Sequence, residues 1–411
     1  MAPLTSSDRR GFLKQTVGAL TGIALLPGRL EALATFQGPV INTGVIGLGR
    51  QGRAILAELQ KITRVEVVAL CDASAPRLAA AVGRHKGVTG FADHRAMLDH
   101  RPEVETIIVA TPTHLHRGIV EDALSAGRHV YCEAPVASTI EDCEALARAA
   151  AGSKKICQAG FQGRSNPVYR RAQPLVNIEV RRMVSMFAQS HRKTSWRFPP
   201  ADGQPEGEAN WRLDPGVSTG LAGEIAAQQF DVAHWLRGQY PVRVQGRGAV
   251  RLHTDGRTVA DTIELELLWQ DGVPLKYQAT LANSYGGQHE LFYGTSGTLR
   301  LGWRDGYLFK EQDAPTQGWE VYATRQHFFG EEGIVLVSDA TQLSAQKDLR
   351  SDSGLPHPPL YYSLIDFLRS AAETHPLACS MEEGARATIV GILANRAIVT
   401  GQPVDIPAFG Q

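Results

Sequence analysis

The sequence predicts an α/β chain: a doubly wound parallel sheet in the first half, then an α+β half built on a large, mostly antiparallel, open sheet. Three observations carry this. Apolar, β-rich runs alternate with helical patterns as far as about residue 160. The first of these runs ends directly in a glycine-rich turn. Beyond Pro167 strand-like runs follow one another with few helices between them, the pattern of an antiparallel sheet. With 411 residues, 43% of them hydrophobic, the chain is long enough for two domains, each with its own core. The expected division is 1–34, 35–160 and 161–411, with the final helices free to pack back on the first domain.

Residues 1–34 read as a targeting segment. Asp8-Arg9-Arg10-Gly11-Phe12-Leu13-Lys14 is a twin-arginine pattern, and the apolar stretch Val17–Leu26 after it is too short to span a bilayer. Ala32-Leu33-Ala34 offers a cleavage site, so the mature chain is expected to begin near Thr35, in the periplasm. That route carries folded proteins, which favours a ligand loaded before export and held tightly.

Val40–Ile46 is the first strand. It runs into Gly47-Leu48-Gly49-Arg50-Gln51-Gly52 and then the helical stretch Ala54–Gln60, which is the G-x-G-x-x-G turn of a Rossmann domain in its strand–turn–helix context. Gly47 permits the tight turn, Gly49 lets backbone approach a diphosphate, and Gly52 lets helix pack on strand. The second strand, Val65–Cys71, ends at Asp72, whose carboxylate can accept from both ribose hydroxyls and would repel a 2′-phosphate. This favours NAD over NADP; a helix cap ahead of Pro76 is the other reading of Asp72. Three further strands end in polar clusters. Glu105–Ala110 leads into Thr111-Pro112-Thr113-His114-Leu115-His116, His129–Cys132 into Glu133-Ala134-Pro135, and Lys155–Gly160 into Phe161-Gln162-Gly163. Ligands bind beyond the carboxyl ends of such strands, so Thr111, Pro112, His114, His116, Glu133, Ala134 and Gln162 are candidate cofactor contacts. Helices are expected over Gly118–Ala126 and Ile140–Ala150, the latter opened by a Ser138/Glu141 capping box.

In the second half Val184–Ser190, Val242–Leu252, Thr262–Gln270, Leu275–Leu281, His289–Gly294 and Thr298–Trp303 read as strands. A polar stretch, Arg197–Gly220, precedes a helix over Leu221–Leu236. On it Glu224, Gln228 and Asp231 fall at i, i+4 and i+7, a polar stripe suited either to solvent or to a polyhydroxylated ligand. Two helices, Tyr361–Thr374 and Met381–Thr400, close the chain. Lys+Arg equals Asp+Glu, which gives no footprint for nucleic acid or an anionic membrane. The five cysteines are too few for a disulfide scaffold, and no spacing suits a metal.

Together these residues resemble the glucose–fructose oxidoreductase/inositol dehydrogenase/MocA (Gfo/Idh/MocA) family, from about Val40 to the end. The matching pieces are Gly47–Gly52, Ala110-Thr111-Pro112, Glu133-Ala134-Pro135, the Glu224–Trp235 helix, Gly294-Thr295-Ser296-Gly297-Thr298 and the last helix. The resemblance implies a nicotinamide-dependent enzyme acting on a sugar, polyol or glycoside, Trp211 in the cofactor site, and a homodimer or homotetramer. It also resembles a subgroup with Glu-Ala-Pro and an Asn210-Trp211-Arg212-Leu213 run. The family's Lys of Glu-Lys-Pro is Ala134 here, and its Asp-x-x-x-His pair is Glu224 and Gln228. Neither Ala nor Gln can take an alcohol proton, a service that contributes about 10²–10⁴-fold. Three readings stay open. Another residue has taken over, with Glu224, Asp231, His234, His191, Tyr285 and His289 as candidates; the chemistry is redox-neutral glycoside cleavage or epimerisation; or the protein binds sugar and cofactor with little turnover.

Overall fold

The computed structural model describes residues 38–200, 205–328, 330–336, 355–373 and 375–409. The twin-arginine segment and the Ala32–Ala34 site lie outside the described residues.

Six parallel strands form the first sheet: β1 (Ile41–Ile46), β2 (Val65–Cys71), β3 (Thr89–Phe91), β4 (Thr106–Val109), β5 (His129–Glu133) and β6 (Cys157–Gly160). Their order is β3-β2-β1-β4-β5-β6, the doubly wound arrangement whose order reverses beside β1. All four residues of β4 are buried, as expected of a strand covered on both faces. Between the strands run α1 (Arg50–Leu59), α2 (Ala75–Arg84), α3 (His94–His100), α4 (His116–Ser125) and α5 (Ile140–Gly152). The capping box expected at Ser138 is not formed: Thr139 is the N-cap of α5 and accepts from Asp142 N, one residue further on. The five cysteines are free and buried, as small apolar groups.

The helix α6 (Pro167–Leu175) leads to the second sheet, made of ten strands. They are β7 (Met183–His191), β8 (Arg243–Ala249), β9 (Thr262–Leu268), β10 (Pro274–Thr280), β11 (Gln288–Gly294), β12 (Gly297–Gly302), β13 (Gly306–Lys310), β14 (Arg325–Phe328), β15 (Glu331–Val335) and β16 (Val404–Asp405). Only the β7–β10 pair is parallel. Alternation is clear in β9, where Ile263, Leu265 and Leu267 are buried and Glu264 and Glu266 face the other side. The buried face packs on α7 (Ala227–Arg237), whose Gln229 Nε2 donates to Glu290 Oε1 at 2.6 Å and to Gln189 O at 3.1 Å.

Two helices end the chain, α8 (Pro359–Ala372) and α9 (Met381–Thr400). Both reach back to the first sheet. Ser363 on α8 meets Tyr131 Oη at 3.1 Å and accepts Gln158 Nε2 on its carbonyl at 3.1 Å, and Thr388 on α9 accepts from Val136 N at 3.1 Å. Ser380 and Glu383 form the capping box of α9.

Candidate functional site

The glycine turn sits where β1 meets α1. Gly47 has φ +92°, and a Cβ there would lie 2.6 Å from Ala110 backbone, so the turn is wedged against the end of β4. A Cβ on Gly52 would lie 1.9 Å from Gly47 O. Gly49 is different, since a Cβ there would meet nothing within 4 Å. It is the N-cap of α1 and no side chain caps the helix, so the first amides of α1 face open space, a cradle that fits a diphosphate.

Asp72 closes β2 and is buried. Its carboxylate accepts from Leu48 N at 2.7 Å, Ser74 N at 2.8 Å, and Arg77 Nε and Nη2 at 3.1 and 3.0 Å. It therefore fixes the glycine turn to the end of β2 and is paired with Arg77. It does not cap α2; Ser74 holds that position.

Glu133 ends β5, accepts from Gln51 Nε2 at 3.0 Å, and burial pushes its carboxyl up to about 7. The following Ala134–Pro135 bond is cis. His116 serves a different purpose from the one its position suggests. It is buried between Pro135 O (3.1 Å from Nδ1) and Thr111 O (3.0 Å from Nε2), and burial lowers it to about 4. It braces the loops after β4 and β5 rather than facing a ligand. His114 does reach the cleft, half-buried, its ring edge-on to Trp211 at 5.8 Å and its Nδ1 without a hydrogen-bond partner among the described residues. Thr111 Oγ1 is likewise unpartnered there, and Pro112 opens the short turn that carries Thr113.

Across the cleft the chain runs through a π-turn, Ala222–Ala226, before α7 begins. Glu224 lies in this turn, buried, and accepts from Thr219 Oγ1 at 2.9 Å and Thr113 Oγ1 at 3.3 Å, with Arg212 Nε at 3.4 Å. Burial raises its carboxyl, against the opposing pull of Arg212 and the two threonines. Gly223 makes this possible, because a Cβ there would strike Thr219 Oγ1 at 2.1 Å. π-turns inside helices often mark functional sites, and this one also breaks the expected single polar stripe.

Gln228 and Asp231 consequently do other work. Gln228 Nε2 donates to Gly160 O at 2.9 Å and its Oε1 accepts from Gln162 N at 3.2 Å, so both ends of the amide hold the exit of β6. Asp231 is 1% exposed and gripped by Arg164 at 2.7 and 2.9 Å; Arg164 also pairs with Glu383 on α9. It is an interior ion pair, not a solvated or ligand-facing group. His234 stacks on Tyr240 at 3.5 Å, with Asp231 and Arg164 as its neighbouring charges. His191 Nδ1 meets Tyr285 O at 3.0 Å, and His289 Nδ1 meets Gly286 O at 3.1 Å. Tyr285 lies in the β10–β11 turn, His191 ends β7 and His289 stands on β11, where it alternates with Glu290 onto the sheet face away from α7. Of the acid/base candidates read from sequence, Glu224 is bonded through Thr113 to the loop after β4.

The sequence reading passed over Thr113, Thr219, Arg212 and Trp196. The Arg212 guanidinium lies over the Trp211 ring (4.5 Å to its centre) and near Trp196 (5.8 Å), whose φ of +62° marks a constrained backbone. Asn210 pins this stretch by exchanging hydrogen bonds with Phe198 N (2.7 Å) and O (3.0 Å). The Asn210–Leu213 run was the one available signal for it.

A diphosphate cradle at the switch point of a doubly wound sheet, facing a buried carboxyl on a second domain's helix, defines a dinucleotide-binding oxidoreductase. Residues 41–161 match the family described as "Oxidoreductase family, NAD-binding Rossmann fold", and 182–300 match "GFO/IDH/MocA C-terminal domain". The chain belongs to this Gfo/Idh/MocA family, and NAD is the cofactor of its Rossmann domain. It is similar to an uncharacterized oxidoreductase, YrbE, of Bacillus subtilis, 24% identical over 89% of this chain and 96% of that one. It is similar to a levoglucosan dehydrogenase of Pseudarthrobacter phenanthrenivorans, 26% identical over 49% of this chain and 52% of the relative. A glycosyl hydrolase family 109 protein of Shewanella amazonensis is 28% identical over 33% of this chain and 35% of its own. Among solved structures, a levoglucosan dehydrogenase in complex with NADH and levoglucosan shares the fold, with a TM-score of 0.70, 20% identity, and coverage of 89% of this chain and 99% of that one.

Proposed function

We propose that this protein is a periplasmic oxidoreductase that keeps NAD bound and acts on a sugar, polyol or glycoside. The observation that carries the reading is Glu224: a buried carboxyl with a raised pKa, held by Thr113 and Thr219 opposite the diphosphate cradle. Bound NAD would supply the acceptor or donor of a hydride. The chain's own residues do the rest. The amides of α1 and the Gly47–Gly52 turn, with Leu48, Arg50 and Gln51, would hold the diphosphate, and Asp72 would receive the adenosine ribose. Thr111, Pro112, His114, Glu133, Ala134, Gln162 and Trp211 would hold the nicotinamide end. Glu224 exchanges the hydroxyl proton, its raised pKa bringing it toward the working pH. The twin-arginine pattern supports export in the folded, loaded state.

Denaturing protein purified from its native compartment should release a nicotinamide nucleotide, seen by absorbance. Neither release nor binding of added NAD(H) would end this reading. A second reading is redox-neutral cleavage or epimerisation of a glycoside, favoured by the likeness to the family 109 hydrolase and by the absence of the family Lys at 134 and His at 228. Aglycone released without net NADH identifies it, and accumulation of ketosugar excludes it. We also infer a homodimer or homotetramer that buries the open face of the ten-stranded sheet, which sedimentation would reveal.

A further inference from the structure

We propose that Phe198, fixed in place by Asn210, is a cofactor-retaining residue: with Trp211 it bridges both lips of the dinucleotide crevice from the second domain's side. The inference deepens the functional reading above and rests on its bound NAD. At the switch point the crevice opens between the turn after β1 and the loop after β4. Two stretches of the second domain, 196–198 and 210–212, reach across to it. The Arg50 guanidinium lies over the Phe198 ring, 5.4 Å from its centre. Arg50 is the first residue of α1, next to the open space at Gly49. Trp211 meets His114, in the loop after β4, at 5.8 Å. One unit therefore touches one lip through Phe198 and the other through Trp211.

Buried polar groups keep this unit in position. Asn210, 6% exposed, accepts from Phe198 N at 2.7 Å and donates to Phe198 O at 3.0 Å, so one amide fixes the backbone on both sides of the ring. Buried Arg257 donates to Ser195 Oγ at 3.2 Å and pairs with Asp255, which also holds Arg197 at 2.8 Å. Trp196, between them, keeps φ +62°, a conformation that a bulky residue holds only where its surroundings over-determine it. Phe198 itself is 41% exposed, so this bracing serves no core. It presents an aromatic face to the cation of Arg50. A dinucleotide seated between the lips leaves only after the Arg50–Phe198 and His114–Trp211 contacts part. Both contacts join protein to protein. Losing one lowers the barrier to exit and to entry together, so both rates rise while affinity changes little.

The test is the release of NADH from the NADH-loaded protein, chased with excess NAD and followed in a stopped flow by energy transfer from tryptophan. Phe198→Ala should speed release about five-fold or more. Capture of NADH by the cofactor-free variant should speed up with it, leaving Kd within about three-fold of the parent. Phe198→Tyr keeps the ring and should restore the parent rates. The melting temperature of cofactor-free Phe198→Ala should stay within about 2 °C of the parent, because the ring is outside the core. Release from Phe198→Ala at the parent rate overturns the inference and leaves NAD retention standing. Faster release with Kd weakened in the same proportion also overturns it, because the ring then belongs to the ligand's own contacts. So does a lower melting temperature, which would make the ring a structural support. If the parent binds no NADH, the oxidoreductase reading falls with the inference.

Discussion

Consider Gly49→Ala at the N-cap of α1. Gly49 has φ −64° and ψ −161°, a conformation open to alanine, and the added Cβ would meet no protein atom within 4 Å. Restricting the unfolded chain stabilises by about 0.4–1 kcal/mol, and losing glycine at an N-cap costs a similar amount, so the fold should change by less than about 1 kcal/mol. The methyl group does project into the space where a diphosphate would lie. Displacing it would weaken at least one charge-assisted N–H···O bond, each worth about 1.5–3 kcal/mol, or roughly ten-fold to a hundred-fold in Kd. The assay is NADH titrated into cofactor-free protein, read by energy transfer from tryptophan, beside a thermal melt. Gly52→Ala is the counterpart, because its Cβ would overlap Gly47 O at 1.9 Å and should cost stability as well as binding. If Gly49→Ala melts normally and binds NADH as tightly as the parent, the diphosphate is not where the glycine turn puts it.

Glu224→Gln keeps the shape of the side chain and removes its proton exchange, so kcat/KM for the sugar half-reaction should fall by about 10²–10⁴. In the parent, activity should rise with pH through an apparent pKa above the ordinary carboxylate value, and that limb should vanish in the variant; a retained limb points elsewhere. Glu290 is buried against Tyr169 and Gln229, and its carboxyl is pushed up by burial to about 7 from 4.5. The folded state then holds the proton more firmly than the unfolded one, so stability is highest below pH 4.5 as far as this group is concerned and declines as pH rises through 7. Melts of Glu290→Gln should show a shallower decline across that window, and an unchanged slope would refute the assignment. Asp231→Asn leaves Arg164 buried with a weakened partner and should cost about 3–5 kcal/mol of stability by denaturant titration. A loss under 1 kcal/mol would show that Glu383 suffices.

The first sheet was legible because its signals are local. The run of buried residues in β4, the turn at Gly47–Gly52 and Asp72 ending β2 can each be read from a few neighbours. β3 escaped notice because three residues, Thr89–Phe91, make no periodic pattern, and β13, β14 and β15 are similarly short. The site was harder to read. Glu224 could be proposed from its place on a polar stripe, yet the stripe assumed 3.6 residues per turn, and the π-turn breaks that register. Thr113, one of the partners that tune it, comes from a segment 111 positions away, and nothing near it announces the meeting. Asp231 looked like a ligand group for the same reason: its true partner, Arg164, is 67 positions away and had drawn no attention.

The hydroxyls of Ser363 and Thr388 finish the sheet that β1 begins, although more than 300 residues of chain separate β1 from them. A ribosome therefore releases the nucleotide-binding half before the pieces that complete its packing exist. That half must wait, partly exposed, until the final helices emerge, so NAD capture becomes a late event of biogenesis and a truncation near residue 355 should fail to bind it.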